Sequence, residues 1–160
     1  MIPPLFEPSV PVLIGLNTAL WFFLHMLMAY GGTLLPDSFI PTGWRLFDPV
    51  PYEERLLGFA GVKGWKSRIP DGAGWFSRGI PKKSLAHTEK AYLEAFYRET
   101  CRGELVHWAV ILCIPFFFLF NPPQVWIAHI LYGVGANIPC ILIQRYNRPR
   151  IRRLLTKKTR

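Results

Sequence analysis

The sequence predicts an all-α integral membrane protein, with three transmembrane helices and a cytoplasmic amphipathic helix lying at the membrane interface. Three observations carry that prediction. Apolar residues make up 51% of the 160-residue chain and mean hydropathy is +0.20, more apolar surface than a domain of this size readily buries. Those residues gather into three runs, at about 10–30, 105–120 and 125–143, where a helix needs ~20 residues to cross ~30 Å of hydrocarbon. The second run reaches that length by extending back to Arg102 through side chains that snorkel. The nineteen Lys and Arg residues lie outside the apolar centres, so the net charge of +9 reads as attraction to anionic lipid, not to nucleic acid. We read one membrane domain over 1–160, with a polar section at 31–104 and a basic tail at 144–160.

In the first span, Pro8 and Pro11 suit a first helical turn. The flank before it carries no cation, which predicts a retained span, not a cleaved signal. Asn17 and His25 are its polar exceptions, read as interhelical hydrogen-bonding groups, with His25 alternatively looking into a site. Gly31-Gly32 is expected to stop the helix. Within 31–104, a turn and short helix are expected over Phe47 to Arg55. Residues 64–72 form a basic aromatic patch lying on the membrane, or alternatively make Asp71 a site carboxylate. From Ser84, a candidate cap, to Gly103, apolar and charged residues separate onto two faces, with Glu94 and Arg98 at helix-supporting spacing. This is the amphipathic interfacial helix. Pro115 should kink the second span, and Asn121-Pro122-Pro123 forms a tight turn. In the third span, Gly133 and Gly135 allow close helix approach. Asn137-Ile138-Pro139 puts an amide and a breaker at membrane depth, so Asn137 faces the interior. The tail from Ile151 is expected to lie on the surface or fray.

Residues 31–104 carry eleven Lys and Arg, the segment after Ile143 carries eight, and the two remaining flanks carry none. The positive-inside rule then puts the N-terminus outside and the C-terminus in the cytoplasm, the location being the cell membrane. Cys101, Cys113 and Cys140 include no CxxC pair. Neither a disulfide framework nor a thiolate metal site is expected, and cysteines within apolar runs act as small hydrophobes.

Two polar knots fall at the same membrane face. Glu104 and His107 share a helix face and can pair; a carboxylate on one imidazole nitrogen raises the basicity of the other, which equips it to deprotonate an alcohol. Glu99 and Arg102 belong to the same knot. The alternative account is a structural ion network with Arg102, Arg145 and Arg148. The Glu-x-x-His spacing occurs once, where di-metal bundles need it on two helices with further glutamates, so no metal is expected. The second knot runs Gln144-Arg145-Tyr146-Asn147-Arg148-Pro149-Arg150. Helix anchoring explains its arginines but not its Gln, Asn or Pro, and arginine forks match phosphate oxygens such as those of a coenzyme A donor.

The arrangement Glu99-Thr100-x-Arg102-x-Glu104-Leu105-x-His107-Trp108, then Asn137-x-Pro139 and the seven residues from Gln144 to Arg150, closely resembles the glycosyl-4,4'-diaponeurosporenoate acyltransferases. Leu35-Pro36-Asp37, Trp65-Lys66 and Asp71-Gly72 resemble that family too. The resemblance implies transfer of a fatty acyl group to a sugar hydroxyl of a lipid glycoside, a carotenoid in the staphyloxanthin pathway. On this reading His107 is the general base, oriented by Glu104. Asn147 or an arginine stabilises the developing negative charge. Arg102, Glu99, Asn137, Gln144, Arg145, Arg148 and Arg150 bind substrate, with Arg145 and Arg148 on donor phosphate or headgroup. No cofactor stays bound; acyl-CoA or another acyl donor is co-substrate. Partners are membrane lipids and the glycoside acceptor, with a homo-oligomer compatible with so thin a scaffold. Two rival readings are a small membrane methyltransferase, disfavoured because no acidic residue follows Glu104, and a non-enzymatic lipid-binding or assembly subunit.

Overall fold

The computed structural model describes residues 9–40, 42–70, 80 and 85–158, and every regular element among them is helical. We label the α-helices α1 (Val10–Leu34), α2 (Glu53–Phe59), α3 (Val62–Trp65), α4 (Lys90–Leu112) and α5 (Trp126–Lys158). Three stretches are long and apolar enough to span a membrane: Val10–Leu34, Lys90–Leu119 and Pro123–Lys157. Their apolar faces point largely outward. Phe22 and Phe23, for instance, are 58% and 66% exposed, as would suit a helix that spans a membrane.

Helix α1 carries Pro11 in its first turn, where a missing N–H costs little. It runs through Gly31-Gly32 to Leu34 instead of stopping there. Gly32 has a packing role: a Cβ at this position would lie 2.5 Å from Val106 Cγ2 of α4. At the far end Asn17 and Asn121 exchange two amide hydrogen bonds, 2.7 and 2.9 Å. His25, by contrast, bonds its own helix at the Trp21 carbonyl, 2.8 Å. The interhelical role in α1 belongs to Asn17 and to Trp21, whose indole N–H donates to His129 Nδ1 at 3.1 Å. Trp21 also stacks on Phe117 and, with Val110, Ile114 and Phe120, forms the core of this end of the bundle.

Helix α4 runs unbroken from the polar stretch at Lys90 into the second span; Ser84 lies outside the described residues, and Glu89 precedes the first turn. At Pro115 the chain tightens into a 3₁₀ segment, Ile114–Leu119, because proline lacks the N–H that an α-helical bond would require. After the turn at Asn121, α5 extends to Lys158, well past Ile143, and passes through both Pro139 and Pro149. As far as Lys158, the tail continues the helix instead of fraying. Ile151 is buried against Leu93 and Phe96 of α4, and that apolar contact carries the helix on. Gly133 meets the bundle closely: an added Cβ would lie 2.7 Å from Ile114 Cδ1 and 3.0 Å from Trp21 Cη2. Gly135 has open space around it.

Contacts between α4 and α5 fix their direction. Thr100 and Glu104 meet Arg148, His107 meets Asn137, and Ile114 lies at Gly133, so the two run antiparallel. The short helices α2 and α3 cap the same end of the pair, packing Leu57 and Val62 against Ile143 and Tyr146.

Candidate functional site

At this end α4 presents Glu99, Thr100, Glu104 and His107, while α5 presents Asn137, Gln144, Arg145, Asn147 and Arg148. Successive positions three and four apart lie on one helix face, which is why both groups converge on the α4–α5 seam.

Glu104 is fully buried and binds two guanidinium groups. Arg148 Nη2 reaches its Oε2 at 2.5 Å, and Arg145 Nη1 reaches its Oε1 at 2.9 Å. The Trp108 indole adds a third donor at 3.3 Å. Arg148 is 2% exposed; its other donors go to the Thr100 hydroxyl and carbonyl, both 3.3 Å, and to the Phe47 carbonyl, 3.2 Å. Its guanidinium also lies over the Phe47 ring. Arg145 is bound further by both oxygens of Glu53 and by the Leu46 and Asp48 carbonyls. A buried carboxylate needs its charge compensated at short range, and two arginines compensate it better than one imidazole. The expected Glu104–His107 arrangement is therefore replaced by an Arg145–Glu104–Arg148 clamp between the helices. The expected phosphate-binding arginines, Arg145 and Arg148, likewise have their forks turned onto protein acceptors.

His107 is oriented by Asn137 instead. Its Nδ1 lies 2.8 Å from Asn137 Oδ1, and Asn137 Nδ2 donates to the Gly133 carbonyl at 2.8 Å. A carbonyl only accepts, so the amide nitrogen must face Gly133 and the amide oxygen must face the imidazole. His107 Nδ1 then carries the proton, and Nε2 carries the basic lone pair. Asn137 is wholly buried, as its position beside Pro139 led the sequence reading to expect.

Gln144 follows Asn137 by two helical turns on the same face and precedes Arg148 by one. It is 5% exposed, and its Oε1 is buried with no hydrogen-bond partner among the described residues. Asn147 accepts from Lys66 Nζ at 3.1 Å. Ten residues of helix separate Asn147 from Asn137, about 15 Å along α5.

Glu99 and Arg102 bond each other across one turn of α4, and Arg102 also reaches Asp37 Oδ1 at 2.7 Å and the Leu35 carbonyl at 3.1 Å. They line a cleft of about 460 Å³ at the end of α1, with Thr33, Asp37, Ile80 and Ala95. Arg102 Nε is buried there without a partner among the described residues. Arg150 lies over the Tyr146 ring and donates to the Tyr146 carbonyl.

Sequence reasoning missed Glu53, Lys66, Asp37 and the Phe47 carbonyl as partners of these groups. Glu53-Glu54, opening α2 in a chain whose C-terminal segment has no acid, was the signal available. Asp71 lies outside the described residues. Among the described residues, no group of three His, Cys, Asp or Glu side chains is placed to hold a metal ion.

A sequence model of the glycosyl-4,4'-diaponeurosporenoate acyltransferases matches residues 43–157. Curated relatives of that description from Staphylococcus aureus strains USA300, Newman and N315 are each 31% identical over 140 residues, covering 84% of this chain and 83% of theirs. No solved structure matches.

Proposed function

The chain belongs to the glycosyl-4,4'-diaponeurosporenoate acyltransferase family, and from that membership we propose a membrane O-acyltransferase that esterifies a sugar hydroxyl of a lipid glycoside, a carotenoid glycoside foremost. The observation that carries the chemistry is the His107–Asn137–Gly133 relay, which leaves the basic lone pair on His107 Nε2.

The reaction needs an alcohol made nucleophilic without free alkoxide. His107 Nε2 accepts the hydroxyl proton as the sugar oxygen attacks the acyl carbonyl of a thioester donor. The new C–O bond forms, the tetrahedral intermediate collapses, and the C–S bond breaks. The imidazolium returns its proton to the departing thiolate, giving ester and free thiol. Asn137 holds the imidazole in the required tautomer, a role that asparagine also plays in other histidine-dependent acyl-transfer sites. The unpartnered Gln144 Oε1 accepts from the sugar, which supports Gln144 as an acceptor-binding residue. Glu99 and Arg102, lining the cleft at the end of α1, suit further sugar hydroxyls. Glu104, Arg145 and Arg148 hold α4 and α5 in register for this chemistry and are positioning residues.

Orientation in the cell membrane follows from charge: the eleven and eight cations flanking the site end favour the cytoplasm. Lys90 to Arg102 then lies at the interface, and an acyl donor made in the cytoplasm has direct access.

The test is acyl transfer in lipid nanodiscs with radiolabelled acyl-CoA and a panel of glycolipid acceptors. Wild type should label a glycolipid. His107→Ala should lose about 10²–10⁴-fold in turnover, with an intermediate loss for Asn137→Ala. Retained turnover in folded His107→Ala would refute the role of the imidazole.

A further inference from the structure

The cations of the site end divide into two groups. Arg102, Arg145 and Arg148 each lie within 2.9 Å of a carboxylate oxygen. Lys66 and Arg150 are not served in this way. The Lys66 ammonium donates to a neutral amide, Asn147 Oδ1 at 3.1 Å, and lies 5.4 Å from the centroid of the Tyr146 ring. Arg150 lies 3.5 Å from that same centroid. Among the described residues, the nearest carboxylate to Arg150 is Glu54 at 3.8 Å, which Arg153 already holds by two bonds of 2.6 and 2.8 Å. Among the described residues, Lys66 has no carboxylate within ion-pair distance.

Two cations thus share one aromatic ring, within about a Debye length of each other. They repel: burial, and then the charge of Arg150, push the Lys66 ammonium below the ordinary lysine range. Such an arrangement is stabilised by an anion lying against both charges, and the buried Asn147 amide beside them supplies a neutral polar wall.

The distance to the acyl-transfer centre selects the kind of anion. Asn147 lies ten residues along α5 from Asn137, about 15 Å. A ligand with its phosphate here and its carbonyl at His107 needs an extended arm of that length. Phosphopantetheine has one between its phosphate and its thioester. In a glycerophospholipid the ester carbonyls are only a few bonds from the phosphate.

We propose, resting on the acyl-transfer reading above, that Lys66, Arg150, Tyr146 and Asn147 form the subsite for the phosphate of a phosphopantetheine thioester, the acyl donor. The arm runs along α5 toward Gln144 and presents its carbonyl at His107. Free coenzyme A thioesters and carrier-protein thioesters both carry this arm.

Binding measured without turnover tests the assignment. Wild type in zwitterionic nanodiscs is titrated with coenzyme A, with holo acyl carrier protein and with the apo carrier that lacks the arm. Coenzyme A or the holo carrier should bind and the apo carrier should not; which of the two binds more tightly identifies the source. Lys66→Gln and Arg150→Gln should each weaken that binding about tenfold, the cost of one hydrogen bond to a charged group. The charge-preserving Lys66→Arg should stay close to wild type, which separates loss of charge from loss of fold. His107→Ala should bind normally, so a failed His107 role and a failed subsite give different results. Unchanged binding in both glutamine variants overturns the proposal, as does absence of binding to wild type. Loss confined to association with phosphatidylglycerol vesicles also overturns it, by assigning the two cations to a lipid headgroup.

Discussion

Replacing Glu104 with glutamine should cost stability and leave the chemistry largely intact. The side chain keeps its shape and loses its charge, stranding two guanidinium groups that now share it. Removing one partner from a buried ion pair costs about 3–5 kcal/mol. The lower end applies here. Arg145 retains Glu53, and Arg148 retains the Phe47 and Thr100 carbonyls and the Thr100 hydroxyl. A loss of about 3 kcal/mol corresponds to a fall in Tm of roughly 6–12 °C for a chain of this size. The assay is thermal unfolding in detergent followed by tryptophan fluorescence, to which Trp108, itself bonded to Glu104, contributes. Turnover per folded molecule, measured well below the melt, should stay within a few-fold of wild type. Two results would refute this reasoning. A Tm indistinguishable from wild type would mean that the clamp bears no load. A normal melt with turnover as low as in His107→Ala would make Glu104 the group that orients the imidazole after all.

Two further outcomes follow from packing and from charge. Gly133→Leu should destabilise by about 1–3 kcal/mol through overpacking, because even its Cβ meets Ile114 and Trp21. Gly135→Leu, with nothing near its Cβ, should melt like wild type, and equal melts for the two would contradict the close approach. The Glu54 carboxyl is held below the usual carboxylate range, first by its hydrogen bond from Arg153 and then, against the opposing effect of burial, by the charges of Arg153 and Arg150. A depressed folded pKa adds stability above the unfolded value, and that stability is lost as pH falls through the folded value. The pair is exposed and contributes only about 0.2–1 kcal/mol. The difference in Tm between wild type and Glu54→Gln should therefore be small at pH 7 and should vanish at acidic pH; a constant difference would be evidence against the pairing.

Much of the architecture was legible because its causes are local. Apolar run length located three membrane-competent helices, and the exclusion of unpaired amides from hydrocarbon put Asn137 inside. The helix ends were harder to read. Glycines at 31 and 32 and the proline at 149 signal termination by local propensity, yet tertiary contacts overrode each: Val106 packs against Gly32, and Ile151 is buried on α4. In the site, His107 was visible as a polar residue at the mouth of an apolar run, but its partner was not. Spacing on one helix made Glu104 the obvious candidate, whereas the choice between Glu104 and Asn137 depends on what α5 brings across the seam. Arg145 and Arg148 were read first as phosphate ligands, with an ion network to the Glu104 knot as the alternative. That network is present, and what could not be read were their further acceptors at 46–54, which no periodicity relates to them.

The clamp also sets an order of events during synthesis. Glu104 leaves the ribosome 41 and 44 residues ahead of Arg145 and Arg148, the groups that compensate it. At about 5–20 residues per second Glu104 waits some seconds for its two guanidinium partners. Asn17 waits longer still, its partner Asn121 coming 104 residues later. The first two long apolar helices are therefore made as unfinished pieces, and α5, made after both, brings Arg145 and Arg148 to one end and His129 to the other. A nascent chain cut short before residue 145 has only the Trp108 indole to answer the Glu104 carboxylate, and neither of its guanidinium partners.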